Sequence, residues 1–204
     1  MDHILAHIKG DPYQREGYGY SLADRDSVVI KRNRLHEHRT IRFKSTTYDT
    51  RRLEESANPR THADVLVNSS SYEGGREVRT LCPYWHARIV GIYHLDLQMR
   101  TESTTALSPE RRMNILFVRW FKFSSTDGNS GWRARRLHKI KFLPEDDSEG
   151  HAFGFLDPNK VIWMVHTIPD FSSDRTKELW VNPLTSVARW AHPDGEYPVY
   201  YIAM

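Results

Sequence analysis

Apolar and polar positions alternate along Pro83 to Gln98, PYWHARIVGIYHLDLQ, and this period predicts a strand with one buried face. Tyr84, His86, Arg88, Val90, Ile92 and His94 make one set, and Trp85, Ala87, Ile89, Gly91, Tyr93 and Leu95 the other. The second set is almost wholly apolar, whereas the first is polar at Arg88 and at both histidines. Gly91 falls mid-run, where a strand tolerates glycine poorly unless it bends or another backbone comes close. A strongly bent strand is therefore expected, as small barrels require. Its expected neighbour is Asn114 to Phe123, NILFVRWFKF, the most apolar run in the chain.

Shorter strands are expected at Ser27–Lys31, Thr40–Phe43, Ala63–Val67, His138–Phe142, Trp163–Ile168 and Tyr197–Ile202. Pro198 places the last of these at a sheet edge. Asp157 followed by Pro158 is a helix-start signal, and the helix must be short because strand-like residues resume at Trp163. Asp49 to Glu55 is open to a single helical turn or to an extended segment. Met1–Asp26 has breakers at Gly10, Pro12, Gly17 and Gly19 and no clear period. The expected organisation is an irregular arm (1–26) and a single β-rich domain (27–204). The expected fold is mainly β, a bent and partly open barrel with short helical turns and irregular arms.

Composition sharpens this picture in two ways. Aromatic residues supply 12% of the 204, enough for a core built from few, large side chains. The single cysteine, Cys82, allows no internal disulfide and no thiolate-rich metal site, which suits a reducing compartment, cytosol or nucleus. No apolar run approaches the roughly 18 residues of a membrane span, so no membrane association is expected, and the N-terminus lacks the pattern of a secretory signal.

Charge is mildly basic overall, at +3, but uneven. Arg111 to Lys141 holds nine Lys or Arg and one acid, a net of +8, followed by four acids between Glu145 and Glu149. Arg111, Arg112, Arg133, Arg135, Arg136 and Lys139 are the candidate contacts to nucleic-acid phosphates, with Trp132 able to stack on a base. The competing reading is a solvated face neutralised by the adjacent acids. A second basic stretch, Lys31 to Lys44, has His36 and His38 among its cations. Tyr84, Trp85, Tyr93, Trp120 and Phe121 are the candidate aromatic pocket for a methylated ammonium, set against a plain core role.

Catalytic signatures are missing. There is no HExxH, CxxC or GxSxG motif, and YEGGRE and TDGNSG lack phosphate-loop order. His36 and His38 are two apart and share a strand face, and His94 and His166 are placed to approach a carboxylate such as Asp96 or Asp157. They are read as structural or surface residues, and no metal, cofactor or catalytic residue is assigned.

The strings TTYDTRRLEESANPRTHADVLV, PYWHARIVGIYH, MNILFVRWF, GWRARRLHKIKF and AFGFLDPNKVI, then VHTIPDF and Arg175-Thr176, occur in this order. Together, over roughly Val28 to Ile202, they resemble the C-terminal region of basidiomycete Plavaka-type transposases of the Kyakuja-Dileera-Zisupton group. That region lies downstream of the family's catalytic core, so the resemblance implies no DNA cleavage or joining. The tail LWVNPLTSVARWAHPDGEYPVYYIAM departs in part from the family's pattern. Ala87-Arg88-Ile89 with Ile92, and Val118-Arg119-Trp120-Phe121, are also similar to the paired strands of bromo-adjacent homology (BAH) domains and other SH3-like barrels of chromatin proteins.

These readings lead to one functional expectation: a non-catalytic, nuclear DNA- or chromatin-binding module derived from a fungal DNA transposon. The alternatives are a module that reads a histone tail or a transposase subunit through an aromatic pocket, or a defunct fragment.

Overall fold

The computed structural model describes residues 4–5, 8, 20–46, 51–68, 72–73, 76–77, 84–100, 106–124, 136–143, 152–176 and 195–203. In chain order the elements are a short helix α1 (Leu22–Asp26), β1 (Val28–Ile30), a 3-10 turn η1 (Lys31–Asn33), β2 (His36–His38), β3 (Ile41–Thr46), β4 (Arg52–Ala57), β5 (Asp64–Asn68), β6 (Tyr72–Glu73) and β7 (Arg76–Glu77). There follow β8 (Tyr84–Met99), β9 (Arg111–Phe123), β10 (Lys139–Phe142), β11 (Phe153–Leu156), a 3-10 turn η2 (Pro158–Lys160), β12 (Val161–Met164), β13 (His166–Pro169) and β14 (Val199–Ala203). The protein is mainly β, as expected.

Local chemistry explains the short turns. Ser21 and Asp24 cap α1 reciprocally, each side chain accepting from the other's backbone N–H. The Asp157 carboxylate accepts from the Asn159 N–H at the start of η2, with Pro158 in the first position. The segment from Arg52 is extended, not helical.

Strands β8 and β9 form a long antiparallel ladder, from His86 opposite Phe121 to Leu97 opposite Arg111. The outer edge of β8 takes β5, β2 and β1 in succession, and that of β9 takes β11 and β10. Beyond them β12 pairs with β5, β14 with β10 and β13 with β14. The sheet is not closed into a barrel. Its outermost strands, β12 and β13, are consecutive in the chain, so covalent continuity through Val165 links the two edges where no ladder does. The expected edge position of the last strand is also corrected: β14 lies between β10 and β13. Pro198 immediately precedes it, so its missing N–H removes no rung of the ladder.

The bend expected at Gly91 is a β-bulge, with a register slip between Ile89 and Gly91 that leaves Val90 without an opposite residue. The slip reverses the alternation. Ile92 joins Ala87 and Ile89 in one buried cluster with Val65, Val67, Leu116 and Val118, which Phe43 and Ala57 of the β3–β4 hairpin cover. The two sets read from the sequence therefore exchange faces at Val90. His94 and Asp96 share a face with Ala87 and Ile89, not with His86 and Arg88. Beyond the bulge, Leu95, Leu97, Met113 and Ile115 pack with Ile4, Leu5 and Val28, so part of the expected arm contributes to the core. A third cluster gathers Leu66, Phe121, Ile140, Phe142, Tyr200 and Ile202.

Candidate functional site

From His86 to Val90, both faces of β8 are buried, and one of them carries charge. Arg88 is 2% exposed and holds Asp64 of β5 in a two-bond fork, Nε to Oδ1 at 2.7 Å and Nη2 to Oδ2 at 3.0 Å. Its Nη1 donates to Glu196 at 3.0 Å and to the Tyr200 hydroxyl at 3.2 Å. Tyr200 also donates to Glu196, and the Thr167 hydroxyl to Asp64. Burial disfavours the guanidinium, but Asp64, Tyr200 and Glu196 more than offset it and hold its pKa above the ordinary value. Burial, reinforced by Glu196 and opposed by Arg88, pushes the Tyr200 phenol up. Arg88 thus ties β8 to β5 and β14 directly, and Thr167 on Asp64 adds β13, while Glu196 Oε2 is left buried without a hydrogen-bond partner among the described residues.

The aromatic candidates divide between this interior and the surface. Phe121 is buried, and with Phe142 and Tyr200 it surrounds Arg88, whose guanidinium carbon lies 5.5, 5.1 and 4.6 Å from the three ring centres. An aromatic cage does exist, and the protein's own arginine fills it. Trp85 and Trp120 meet edge to face at 5.4 Å, and Trp85 is 48% exposed. Tyr84 is exposed on the opposite face of β8, and Tyr93 lies beyond the bulge with its ring tip over Gly91, so the five do not line one pocket. Gly154 leaves room for the Trp120 indole, whose Nε1 would stand 2.7 Å from an added Cβ.

The basic candidates also separate. Arg111 and Arg112 open β9, whereas Lys139 opens β10, which pairs with the far end of β9, and Arg136 lies just before it. A strand of this length spans about 40 Å before bending. Lys139 is ion-paired with Asp170 at 3.2 Å. Arg119, midway along, is in the core at 1% exposure. Arg133, Arg135 and Trp132 lie outside the described residues.

What joins Arg111 and Arg112 was not in the predicted set. Ile30, Leu97 and Arg111 lie in one row across β1, β8 and β9, so the η1 turn faces the start of β9 across β8, a gap that the Lys31–Glu110 ion pair spans. Lys31, Arg32, Arg34, Arg100, Arg111 and Arg112 therefore rim one end of the sheet, all exposed. Lys31 pairs with Glu110 at 2.5 Å and Arg112 with Asp96 at 3.0 Å, and no described carboxylate pairs with the other four. Arg32 and Asn33 are left-handed, at φ 55° and 50°, a backbone that asparagine tolerates and arginine does not favour.

Histidines follow the two environments. His86 is buried with Nε2 unbonded, its ring edge-on to Phe123, and burial lowers its pKa to about 4 despite Asp64. His166 faces His62, at 6.0 Å between ring centres, not a carboxylate. His94 does stand beside Asp96, and with His36 they form the one group among the described residues whose ligand atoms converge as a metal site requires. An apolar hollow of ≈ 230 Å³ between Ile4, Ile30, Leu35, Leu95, Ile115 and Phe155 has Arg34 as its one titratable lining residue among the described residues.

No family model, curated protein or solved structure matches the chain.

Proposed function

We propose that the protein is a non-catalytic module that binds duplex DNA through the rim formed by η1 and the start of β9. The observation that carries this reading is the set of four arginines, Arg32, Arg34, Arg100 and Arg111, exposed at one end of the sheet with no described carboxylate against them. Exposed guanidinium groups on a fixed β frame suit phosphate oxygens, which give affinity without sequence preference. The resemblance to the C-terminal region of Plavaka-type transposases supports DNA as the polymer. The curved sheet suits the SH3-like and BAH modules of chromatin proteins. The interior arginine network is structural, since Arg88 spends its donors on Asp64, Glu196 and Tyr200.

Fluorescence anisotropy with a short duplex over a range of salt tests the proposal. Four phosphate contacts give a slope of log affinity against log salt of about −3.6. Arg32→Glu with Arg111→Glu should weaken binding and make that slope shallower by about 1.8, while Arg136→Glu leaves both unchanged. Folded protein that fails to bind at low salt, or that loses binding only with Arg136→Glu, would reject this interface.

A second reading rests on the exposed Trp85 ring against Trp120. It makes the protein a reader of a methylated histone tail or of a transposase subunit. A peptide array separates the two: Trp85→Ala should abolish peptide capture and leave duplex binding intact.

A further inference from the structure

We propose that His36, His38, His94 and Asp96 form a zinc-binding site that clips strand β2 to β8. Four observations support it. His36 pairs directly with His94 across the ladder, His38 stands two residues along the same face, and Asp96 stands two residues beyond His94 on that face. The ligand atoms of His36, His94 and Asp96 all lie within 4.8 Å of one another. His38 Nε2 is in direct contact with His94 Nδ1, and the His36 and His94 rings stack at 4.7 Å. The bulge at Val90 sets the face of the cluster, because it moves His94 and Asp96 from the Arg88 side of β8 to the Ala87 side.

The donor set matches the ion. Three imidazoles and one carboxylate are nitrogen and oxygen donors of the kind zinc takes in tetrahedral sites. Metal–ligand bonds of about 2.0 Å place neighbouring donors about 3.3 Å apart, so side-chain movement must draw in His36, His94 and Asp96, and His38, which lies outside that converging group beside Ile92, must turn past His94 to complete the shell. His36 and His38 are exposed, so their rings are free to rotate out of the stack until their planes converge on the ion. Arg112 supplies an outer contact. Its Nε donates to Asp96 Oδ1 at 3.0 Å, which orients the carboxylate and leaves Oδ2 for the ion.

The site also answers a structural need. Strand β2 has three residues, all exposed, and it enters from the left-handed pair Arg32 and Asn33. Three backbone pairs with β8 hold it. A metal joining His36 and His38 to His94 and Asp96 fastens it by side chains as well. None of the four ligands is an arginine of the DNA interface, so either proposal can fail alone.

Calorimetric titration of chelator-treated full-length protein with zinc chloride tests the site, and cobalt(II) gives an optical reading of tetrahedral geometry. The expected result is one equivalent bound at micromolar dissociation constant or tighter, with a rise in melting temperature. Affinity should fall at least about tenfold in His36→Asn and about a hundredfold in His36→Asn with His94→Asn, scaled from outer-shell losses of that range. His62→Asn with His166→Asn should bind as the parent does. If a histidine variant loses its β-sheet circular dichroism, Asp96→Asn takes its place and should bind more weakly. Folded parent protein that takes up no zinc, or uptake that the His36/His94 variant retains, overturns the assignment.

Discussion

Two arginine–aspartate pairs involve strand β8, Arg88 with Asp64 of β5 before the bulge and Asp96 with Arg112 of β9 beyond it, and they differ in nearly everything but their chemistry. Arg88 and Asp64 are 2% and 7% exposed at their side chains, whereas Arg112 and Asp96 are 63% and 18% exposed. The first pair is forked, wrapped by three rings and bonded further to Glu196 and Tyr200. The second makes a single bond at the margin of a solvated face. From His86 to the bulge both faces of β8 are packed, so a charge there must be matched within the protein. Beyond it Leu95, Leu97, Met113 and Ile115 pack one face, and the other, past the buried Ile92, carries the polar row His94, Asp96 and Arg112, which runs from buried His94 to exposed Arg112. Exposure, not residue type, separates the arginine that holds the fold from those available to a partner.

The largest effect should come from breaking the inner pair. Arg88→Met leaves Asp64 and Glu196 as buried carboxylates without their cation, and is expected to lower unfolding free energy by about 3–5 kcal/mol, the range for an orphaned buried charge. Urea denaturation at neutral pH measures it. Adding Asp64→Asn to Arg88→Met should recover part of the loss, because one uncompensated charge is then gone. A cost near zero for Arg88→Met alone would show that the network is dispensable and would erase the contrast.

Next in size is the response to acid. The folded-state pKa of His86, about 4, lies below the ordinary 6.5. Between these values the unfolded chain binds the proton and the folded chain does not, so stability is complete above pH 6.5 and falls as pH drops toward 4. The full difference is on the order of 3 kcal/mol. His86→Leu should flatten the stability profile relative to the parent in that window. Imidazole proton shifts in NMR give the pKa directly, and a His86 midpoint near 6.5 would contradict its burial.

Gly91 marks how far the sequence could be read. Its place in an apolar run signalled a bend, and both long strands lie where the alternation put them. The bulge itself was not legible, because an extra residue leaves no mark on composition while inverting every later side chain. That inversion is why His94 and Arg88 read as one face. The basic run was visible too, but linear charge could not show that Arg119 is interior or that η1 and Arg111 meet across the end of β8, since both depend on which strands pair. Gly91→Ala tests the bulge: its Cβ would meet the Tyr93 ring tip at 2.5 Å. Tyr93 is partly exposed and can swing away, so the expected cost is the low end of overpacking, about 1 kcal/mol. Tyr93→Ser in the same chain should remove most of it, a coupling that a double-mutant cycle by urea denaturation reads.

The smallest effect on stability should come from the outer pair. Arg112→Ala removes one exposed bond and strands no buried charge, because Asp96 remains hydrated. Exposed pairs of this kind contribute little to folding, and the melting temperature should move by no more than about 2 °C. The variant should nonetheless be distinguishable from the parent. Without the Arg112 hydrogen bond the Asp96 pKa rises toward its ordinary value, visible in carboxyl carbon NMR shifts. Duplex affinity should weaken and zinc affinity should fall, since the same side chain borders both proposed sites. A residue that can be removed at little cost in stability, yet changes what the surface binds, is the opposite of Arg88. Equal destabilisation by Arg88→Met and Arg112→Ala would mean that burial does not divide the two halves of this hairpin.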